Sequence, residues 1–226
     1  FNTSAPAGSN SGWVAFNFAQ ETAMTAIFNG LSEIIDINFL NNGDQATSNI
    51  GLNISDMSAG TAGFASIGSS GFVDEPLYID SPVEIYLSSG FNSDPDNFGL
   101  NPGEQGWATM VHELGHSMGL KHPFEEPNIL GLDDDINHSI MSYTNPNIVT
   151  TFEIINTGGG FSIGSLSSAL NASFYSIYDI AALQAVYGVN DQVNVGDDTY
   201  GFSFSDYKIE TLWDAGGNDT IDVSTT

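Results

Sequence analysis

The chain has 226 residues but no cysteine and no arginine, and its basic residues are only Lys121 and Lys208. The lack of cysteine excludes disulfide bonds, thiolate chemistry and zinc sites built on cysteine. An extracellular protein of this kind needs a stabiliser other than disulfides. No apolar run approaches the roughly 20 residues that a membrane-spanning helix requires, so we expect no membrane span.

The scarcity of basic residues leaves 28 acidic residues nearly unopposed, and the formal net charge is −26. Such a chain repels nucleic acid and anionic membrane surfaces, so we expect neither as a partner. The acidic residues fit a solvated surface, adaptation to salt, or carboxylates gathered to bind calcium. Composition does not choose between these three explanations.

Apolar spacing predicts three helices. The first covers about residues 19–35 and the second about Gln105 to Met118. The third covers residues 176–188, where Ser176 can cap the start and Gly188 can end the helix.

Short β-rich segments between glycine, asparagine and serine clusters predict a set of strands after the first helix. These predicted strands cover residues 36–40, 48–55, 62–68 and 83–87. Polar residues, glycine and proline predict a loop over 89–103 and mostly irregular structure over 123–175. The composition becomes rich in aspartate and glycine after Asn190, which predicts a boundary near residue 190.

Three of the four histidines lie in the fifteen residues TMVHELGHSMGLKHP, 109–123. A helix advances about 100° per residue, which puts His116 about 40° from His112 on one face. Glu113 lies about 60° from His116 on the same wheel. Gly119 can adopt a positive φ and end the helix, so the chain can turn and bring His122 back towards the other two.

The pattern H-E-x-x-H-x-x-G-x-x-H predicts a zinc site. Three neutral imidazoles leave one coordination position open for water, as in a catalytic site, and Glu113 can take a proton from that water. Two alternatives stay open. The histidines could be ordinary core or surface residues beside a solvated Glu113, or the site could bind zinc without turnover.

The same eleven-residue pattern resembles the signature of the metzincin metalloproteases, whose second mark is a turn that carries methionine. Here SIMSY, 139–143, supplies Met141. Pro123 after the third histidine and the Met-Ser-Tyr of that turn resemble the serralysin family. The segment YDIAALQAVYGVN, 178–190, is similar to the helix that closes serralysin protease domains.

The resemblance implies an α+β fold. Residues 1–190 would form a metzincin-like zinc protease domain with a mixed twisted sheet and an active-site helix. Residues 191–226 would be the truncated start of a calcium-binding β-roll-type segment. It also implies a secreted, extracellular and monomeric zinc endopeptidase that acts on proteins or peptides, with Zn²⁺ and Ca²⁺ as cofactors. Secretion in the family uses a C-terminal signal, and calcium would replace the missing disulfides.

By position, the resemblance assigns the zinc ligands to His112, His116 and His122. Glu113 would be the general base, and Tyr143 would ligate the resting zinc and then move to hydrogen-bond the oxyanion. Met141 would pack beneath the site. For Tyr143 the alternative is an ordinary buried aromatic residue. His138 has no place in the motif and is expected at the surface.

A bound peptide is expected to lie along an edge strand ahead of the histidine helix. Two segments could supply that edge, FASIG at 64–68 and VEIYL at 83–87. The sequence does not choose between them.

The segments DDTYGF, 197–202, and ETLWDAGGNDTIDVS, 210–224, resemble the stretch that leads into the family's calcium-binding roll. The candidate calcium ligands are Asn194, Gly196, Asp198, Asp214, Gly216, Gly217 and Asp219. The family usually has arginine at the first of these positions and threonine at the third. An aspartate-glycine hairpin without calcium is the alternative. With only a degenerate opening of the roll repeat, we expect fewer calcium ions than in a protein with a complete roll.

Two other functions stay open at this stage. The chain could be a non-catalytic, calcium-stabilised binding or adhesin module with a vestigial zinc site. It could also be a processing protease of narrow specificity, in which acidic walls favour basic substrates at low salt.

Overall fold

The computed structural model describes residues 1–6, 11–41, 49–66, 83–94, 97–156, 161–202 and 209–224. The helices are α1 (Phe18–Ile34), α2 (Gly90–Ser93), α3 (Gln105–Ser117) and α4 (Ile177–Tyr187), with a short 3₁₀ turn at Gly131–Asp133. The strands are β1 (Ile50–Ser55), β2 (Gly63–Ser66), β3 (Val83–Ser88), β4 (Ile148–Asn156), β5 (Phe161–Ala169), β6 (Thr199–Gly201) and β7 (Thr220–Asp222). The protein is therefore a mixed α+β structure with small sheets, as predicted.

The three long helices begin and end near the predicted residues. Asn17 and Gln20 form a reciprocal capping box at the start of α1. At the start of α4 the Ser176 N–H donates to the Asp179 carboxylate, and the helix ends at Gly188 with φ of 83°.

The main sheet is mixed, with strand order β1-β3-β2. Strands β1 and β3 are parallel, and β2 is antiparallel to β3. Among the described residues β2 pairs on one side only, so it is an edge strand, whereas β3 lies between two neighbours. The strand set is confirmed at β1, β2 and β3. Residue 48 and residues 67 and 68 of the predicted strands lie outside the described residues.

Three predictions of local structure were wrong. Residues 36–40 form no strand, because their backbone has no strand beside it in the described ranges. The alternation of polar and apolar residues in this segment has another cause, since Ile37 and Phe39 pack against the hydrophobic core. The predicted loop 89–103 contains the short helix α2.

The third error concerns residues 123–175, which were expected to be mostly irregular. They contain a long antiparallel hairpin in which β4 pairs with β5 from Ile148 opposite Ala169 to Asn156 opposite Phe161. The β-branched residues of IVTTFEII have high strand propensity, which the scattered glycines and prolines around them concealed.

The core lies between α1, α3 and the main sheet. Its largest fully buried side chains include Met24, Ile27, Leu31, Ile85, Leu87, Met110 and Leu114. The apolar side chains of α3 are thereby buried, and the other side of the helix carries the histidines. None of the helices in the described ranges is both long and apolar enough to cross a membrane.

The residues from Asn190 onward contact the rest of the chain. The Asn190 side chain donates a hydrogen bond to the Ser32 carbonyl, and the Trp213 indole donates one to the Asn190 carbonyl. Trp213 also packs against the core. Strands β6 and β7 form a separate two-stranded parallel sheet.

Candidate functional site

The end of α3 brings His122 back towards the helix. Gly119 has φ of 91°, and its N–H donates to the His116 carbonyl at 3.0 Å. The Leu120 N–H donates to the Gly115 carbonyl at 2.9 Å, which completes a Schellman motif. This turn reverses the chain, so that the third histidine reaches the face that carries the first two.

The three histidines of the motif converge on one point. The Nε2 atom of His122 lies 3.2 Å from that of His112 and 3.1 Å from that of His116. One ring nitrogen from each of the three histidines lies within 4.8 Å of the other two. No other histidine takes part, because His138 contacts Asp135 near the surface.

The other nitrogen of each ring is held by an acceptor. His112 Nδ1 donates to the Ile140 carbonyl and His116 Nδ1 to the Leu120 carbonyl, both at 2.9 Å. His122 Nδ1 lies 2.9 Å from Oε1 of Glu125. Carbonyl and carboxylate oxygens only accept, so each neutral ring carries its hydrogen on Nδ1.

Consequently the three Nε2 lone pairs face one another with no hydrogen between them. This arrangement is repulsive without a cation and is the donor set that zinc prefers. Burial also keeps two of these rings neutral, since it lowers the pKa of His112 from 6.5 to about 4 and lowers that of His116. The residues therefore fit a zinc ion.

Glu113 lies beside this cluster and is only 5% exposed. Burial raises the pKa of Glu113 from 4.5 to about 8, although a hydrogen bond from the Ala65 backbone opposes the shift. Its Oε2 atom has no hydrogen-bond partner among the described residues. A buried carboxylate with one unpaired oxygen at the edge of a cleft is suited to exchanging a proton with a water or a substrate.

Met141 lies under α3, where it is 1% exposed. Its sulfur approaches the backbone of Gly115 closely enough that a β-carbon there would stand only 2.7 Å from it. The turn before it is tied to α4, because Asp179 accepts hydrogen bonds from the Ser139 hydroxyl and the Ile140 backbone N–H at 2.6 and 2.7 Å. Burial is the largest influence on Asp179 and raises the pKa of this carboxyl.

Tyr143 is 70% exposed, which excludes the ordinary buried aromatic residue considered above. The centroid of its ring lies 4.7 Å from that of His122 and 5.8 Å from that of His112. Partial burial raises the pKa of Tyr143, and the charges of Glu113 and Glu125 add to the effect. The phenol thus remains protonated next to the histidine cluster and can donate a hydrogen bond.

A cleft of about 530 Å³ opens at His112 and Glu113. One wall is the stretch Gly60–Gly63 that leads into the edge strand β2. The opposite wall combines apolar side chains with side-chain amides, namely Ala108, Ile136, Ile140 and Ala172 with Gln105, Asn145 and Asn171. Among the residues that the structure describes, Glu113 is the sole acidic member of this lining, so these residues form no acidic wall.

A second cluster lies in the trailing segment, where carboxylate oxygens of Asp198, Asp214 and Asp219 come within 4.8 Å of one another. Gly217 has φ of 143°, and a β-carbon on it would overlap the Gly196 carbonyl. Asn194 has φ of 51° and its carbonyl accepts from the Gly216 N–H. The structure thus gathers all seven candidate calcium residues around one turn.

The sequence analysis missed four residues that support the site. Glycine is required at positions 63 and 115 because a neighbouring side chain lies too close to the backbone to leave room for a β-carbon. Only a three-dimensional structure reveals these contacts. Glu125 contacts a histidine of the motif, and Asp179 holds the methionine turn. A capping pattern, Ser176 followed by Asp179, was visible, but nothing in it pointed to Asp179's contact with residues 139 and 140.

The chain is similar to several known proteins, although no family model matches it. A serralysin of Photorhabdus luminescens is 30% identical over 93% of this chain and 43% of its own length. The metallopeptidase AprA of Pseudomonas marginalis is 29% identical over 95% of this chain and 46% of its own. A serralysin C of Dickeya chrysanthemi is 36% identical over 54% of this chain and 27% of its own. The chain therefore spans less than half the length of the curated relatives it matches.

A mixed sheet beside a helix with converging histidines, above a buried methionine turn, defines a metzincin-like domain. The relatives identify the family more narrowly. The chain belongs to the serralysin family of metalloproteases, as its motifs predict.

Proposed function

We propose that the chain is the catalytic part of a secreted zinc endopeptidase that hydrolyses peptide bonds in proteins. The observation that carries this proposal is the convergence of three Nε2 lone pairs within hydrogen-bond distance, beside the buried carboxylate of Glu113. Membership of the serralysin family supports it, because the relatives are serralysins and a metallopeptidase.

In this proposal His112, His116 and His122 hold the zinc ion. When bound, zinc supplies a Lewis acid that polarises the scissile carbonyl and makes a coordinated water more acidic. Glu113 takes a proton from the attacking water and returns it to the leaving amine, so that both proton transfers use the same buried carboxylate. The hydroxyl of Tyr143 donates a hydrogen bond to the oxygen of the scissile carbonyl, which becomes negatively charged when water attacks.

The substrate binds in an extended conformation along the edge strand β2. The side of β2 that has no partner among the described strands offers backbone donors and acceptors for strand addition, and Gly63 of β2 lies close to the side chain of Glu113. The cleft beside His112 takes one substrate side chain. Its apolar and amide lining favours apolar or neutral side chains over charged ones.

The trailing segment, 191–226, stabilises the peptidase domain, 1–190, by binding calcium. Carboxylates of Asp198, Asp214 and Asp219 supply the charge, and the carbonyls of the glycine-rich turn supply neutral oxygen ligands. Because several contacts join this segment to the core, loss of calcium would loosen the end of α4.

Casein hydrolysis by the purified chain, with zinc and calcium present, tests the proposal. The comparison is with Glu113→Gln, which keeps the shape of the side chain but cannot act as a base. Exposed Glu126→Gln removes the same formal charge a few residues beyond the motif and serves as the matched control. We expect hydrolysis that falls by at least about 100-fold in the first variant and is unchanged in the second.

The outcomes separate the competing functions. Activity that is lost in Glu113→Gln and with a zinc chelator would establish the endopeptidase and its base. A folded, zinc-loaded chain that cuts neither casein nor a varied peptide library faster than its Glu113→Gln variant would favour a binding module with a vestigial site.

A further inference from the structure

The three histidines of the site are not held in the same way. His112 and His116 are on α3, and the outer nitrogen of each donates to a backbone carbonyl. His122 lies beyond the end of the helix, and its outer nitrogen contacts a carboxylate, Oε1 of Glu125, at 2.9 Å. Of the three histidines, His122 is therefore the one outside the helix, and it is also the one whose hydrogen-bond partner carries a full negative charge.

The loop after His122 is shaped to present this carboxylate. The Glu125 N–H donates to the His122 carbonyl at 3.2 Å, which closes a tight turn. Lys121 then donates from Nζ to the carbonyls of Glu125 and Pro127 at 3.0 and 3.1 Å. One of the two lysines of this acidic chain is thus used to hold the loop that carries Glu125.

A second contact fixes the plane of the same imidazole. The ring of Phe124 stacks on that of His122 with centroids 4.9 Å apart and planes inclined by 8°. Phe124 covers the face of the ring while Glu125 fixes its edge, so the ring can neither tilt nor flip without losing one of them. The exposed fraction of the side chain is 15% for His122 but 51% for Glu125.

We propose that Glu125 is a positioning residue for the metal centre, which orients His122 and strengthens it as a ligand. The carboxylate keeps the hydrogen on Nδ1, and therefore the lone pair on Nε2, where it faces the other two histidines. The negative charge of Glu125 makes the Nε2 atom of His122 a stronger lone-pair donor to a metal ion. It also offsets part of the charge of a bound divalent cation.

This proposal rests on the assignment of the three histidines as metal ligands in the proposed function, but not on peptide hydrolysis. Glu125 does not have to touch substrate or the reacting atoms. Its half-exposed side chain contributes little to the folding of the metal-free chain, because an exposed pair of this kind adds little to stability. A defect in metal binding can therefore be separated from a defect in folding.

The test measures zinc affinity of the full chain by competition with a fluorescent chelator, without substrate. We expect Glu125→Ala to weaken zinc binding by roughly 10- to 100-fold. Glu125→Gln can still accept a hydrogen bond but has no charge, so it should fall between the alanine variant and the original chain. The matched control is Glu126→Gln, whose zinc affinity should stay within about twofold, since a solvated charge outside the site is screened.

Two further readouts distinguish positioning from a structural role. The thermal midpoint of the metal-free chain should be the same in all variants. The visible absorption of the cobalt-loaded chain should change in Glu125→Ala and stay unchanged in Glu126→Gln, because the cobalt spectrum reports ligand geometry.

Zinc affinity of Glu125→Ala equal to that of Glu126→Gln would overturn the proposal, whatever the peptidase activity. Failure of the original chain to bind zinc would overturn it together with the ligand assignment. A chain that binds zinc, loses affinity in Glu125→Ala and yet cleaves no peptide would support this proposal and contradict the proposed function.

Discussion

The sulfur of Met141 lies 2.7 Å from the point where a β-carbon on Gly115 would stand. The methionine turn therefore touches the backbone of the histidine helix at Gly115, which has no side chain. Glycine inside a helix costs about 1 kcal/mol relative to alanine, so this close contact has a cost in helix stability. The contact between Met141 and Gly115 places the residues that follow Met141 next to the site.

Gly115→Ala is expected to destabilise the chain in spite of its better helix propensity. The added methyl group must displace a fully buried Met141, and overpacking of this kind costs typically 1–3 kcal/mol against a gain of about 1. Urea denaturation of the metal-free chain measures the change in the free energy of unfolding.

Met141→Ala supplies the matched background for this test. With the sulfur removed, Gly115→Ala should become neutral or stabilising by up to about 1 kcal/mol. Equal effects of the glycine substitution in both backgrounds would show that Met141 does not restrict residue 115.

Gly63→Ala is expected to reduce turnover and leave zinc affinity intact. A β-carbon on Gly63 would stand 2.9 Å from Cγ and 3.0 Å from Oε1 of Glu113, so the base must shift. A misplacement of about 1 Å can cost on the order of 100-fold in rate, and we expect at least a tenfold loss in kcat. Ser66→Ala, an exposed position in the same strand, should keep full turnover. Unchanged kcat in Gly63→Ala would mean that Glu113 has room to move.

Much of this site follows from sequence, because its chemistry is local. The spacing of His112, His116 and His122 around Gly119 is a property of one helix and one turn, and both are readable from residue type. The helix caps at Ser176 and Gly188 are local signals of the same kind.

The rest depends on contacts between segments that are far apart in the chain. Alternation at Ile37 and Phe39 predicts a strand, but only the tertiary structure shows that no strand of the described ranges lies beside it. The choice of β2 as the edge required the order of the strands, and the role of Asp179 required the packing of α4 against residue 140. Periodicity within one segment carries no information on these distances.

Calcium is expected to raise the thermal midpoint of the chain. A ligand that binds only the folded state stabilises it by about 2.7 kcal/mol at a concentration one hundred times its dissociation constant. Asp219→Asn should remove most of this gain, because Asp219 is one of three carboxylates that meet in the turn. Exposed Asp36→Asn is the control and should keep it.

Magnesium at equal ionic strength must be run beside calcium, because any salt screens the self-repulsion of a chain with a net charge of −26. A shift that is the same for both cations, or the same in Asp219→Asn, would indicate screening without a calcium site.

Asp179 should make stability fall as the pH rises through its titration. Burial raises the pKa of this carboxyl above its ordinary value of 3.8, so the folded chain retains a proton that the unfolded chain has already released. The stabilisation is fully present below the ordinary pKa and is lost as the pH rises through the pKa of the folded state.

Asp179→Asn cannot titrate, and its amide can still accept from the Ile140 and Ser176 N–H groups. The original chain should therefore lose stability relative to this variant when the pH rises from below 3.8 to neutrality. Urea denaturation of metal-free protein at both pH values gives the difference, with exposed Asp191→Asn as the charge control. A difference between the original chain and Asp179→Asn that is flat, or that grows with pH, would show that the hydrogen bonds to Asp179 outweigh its burial.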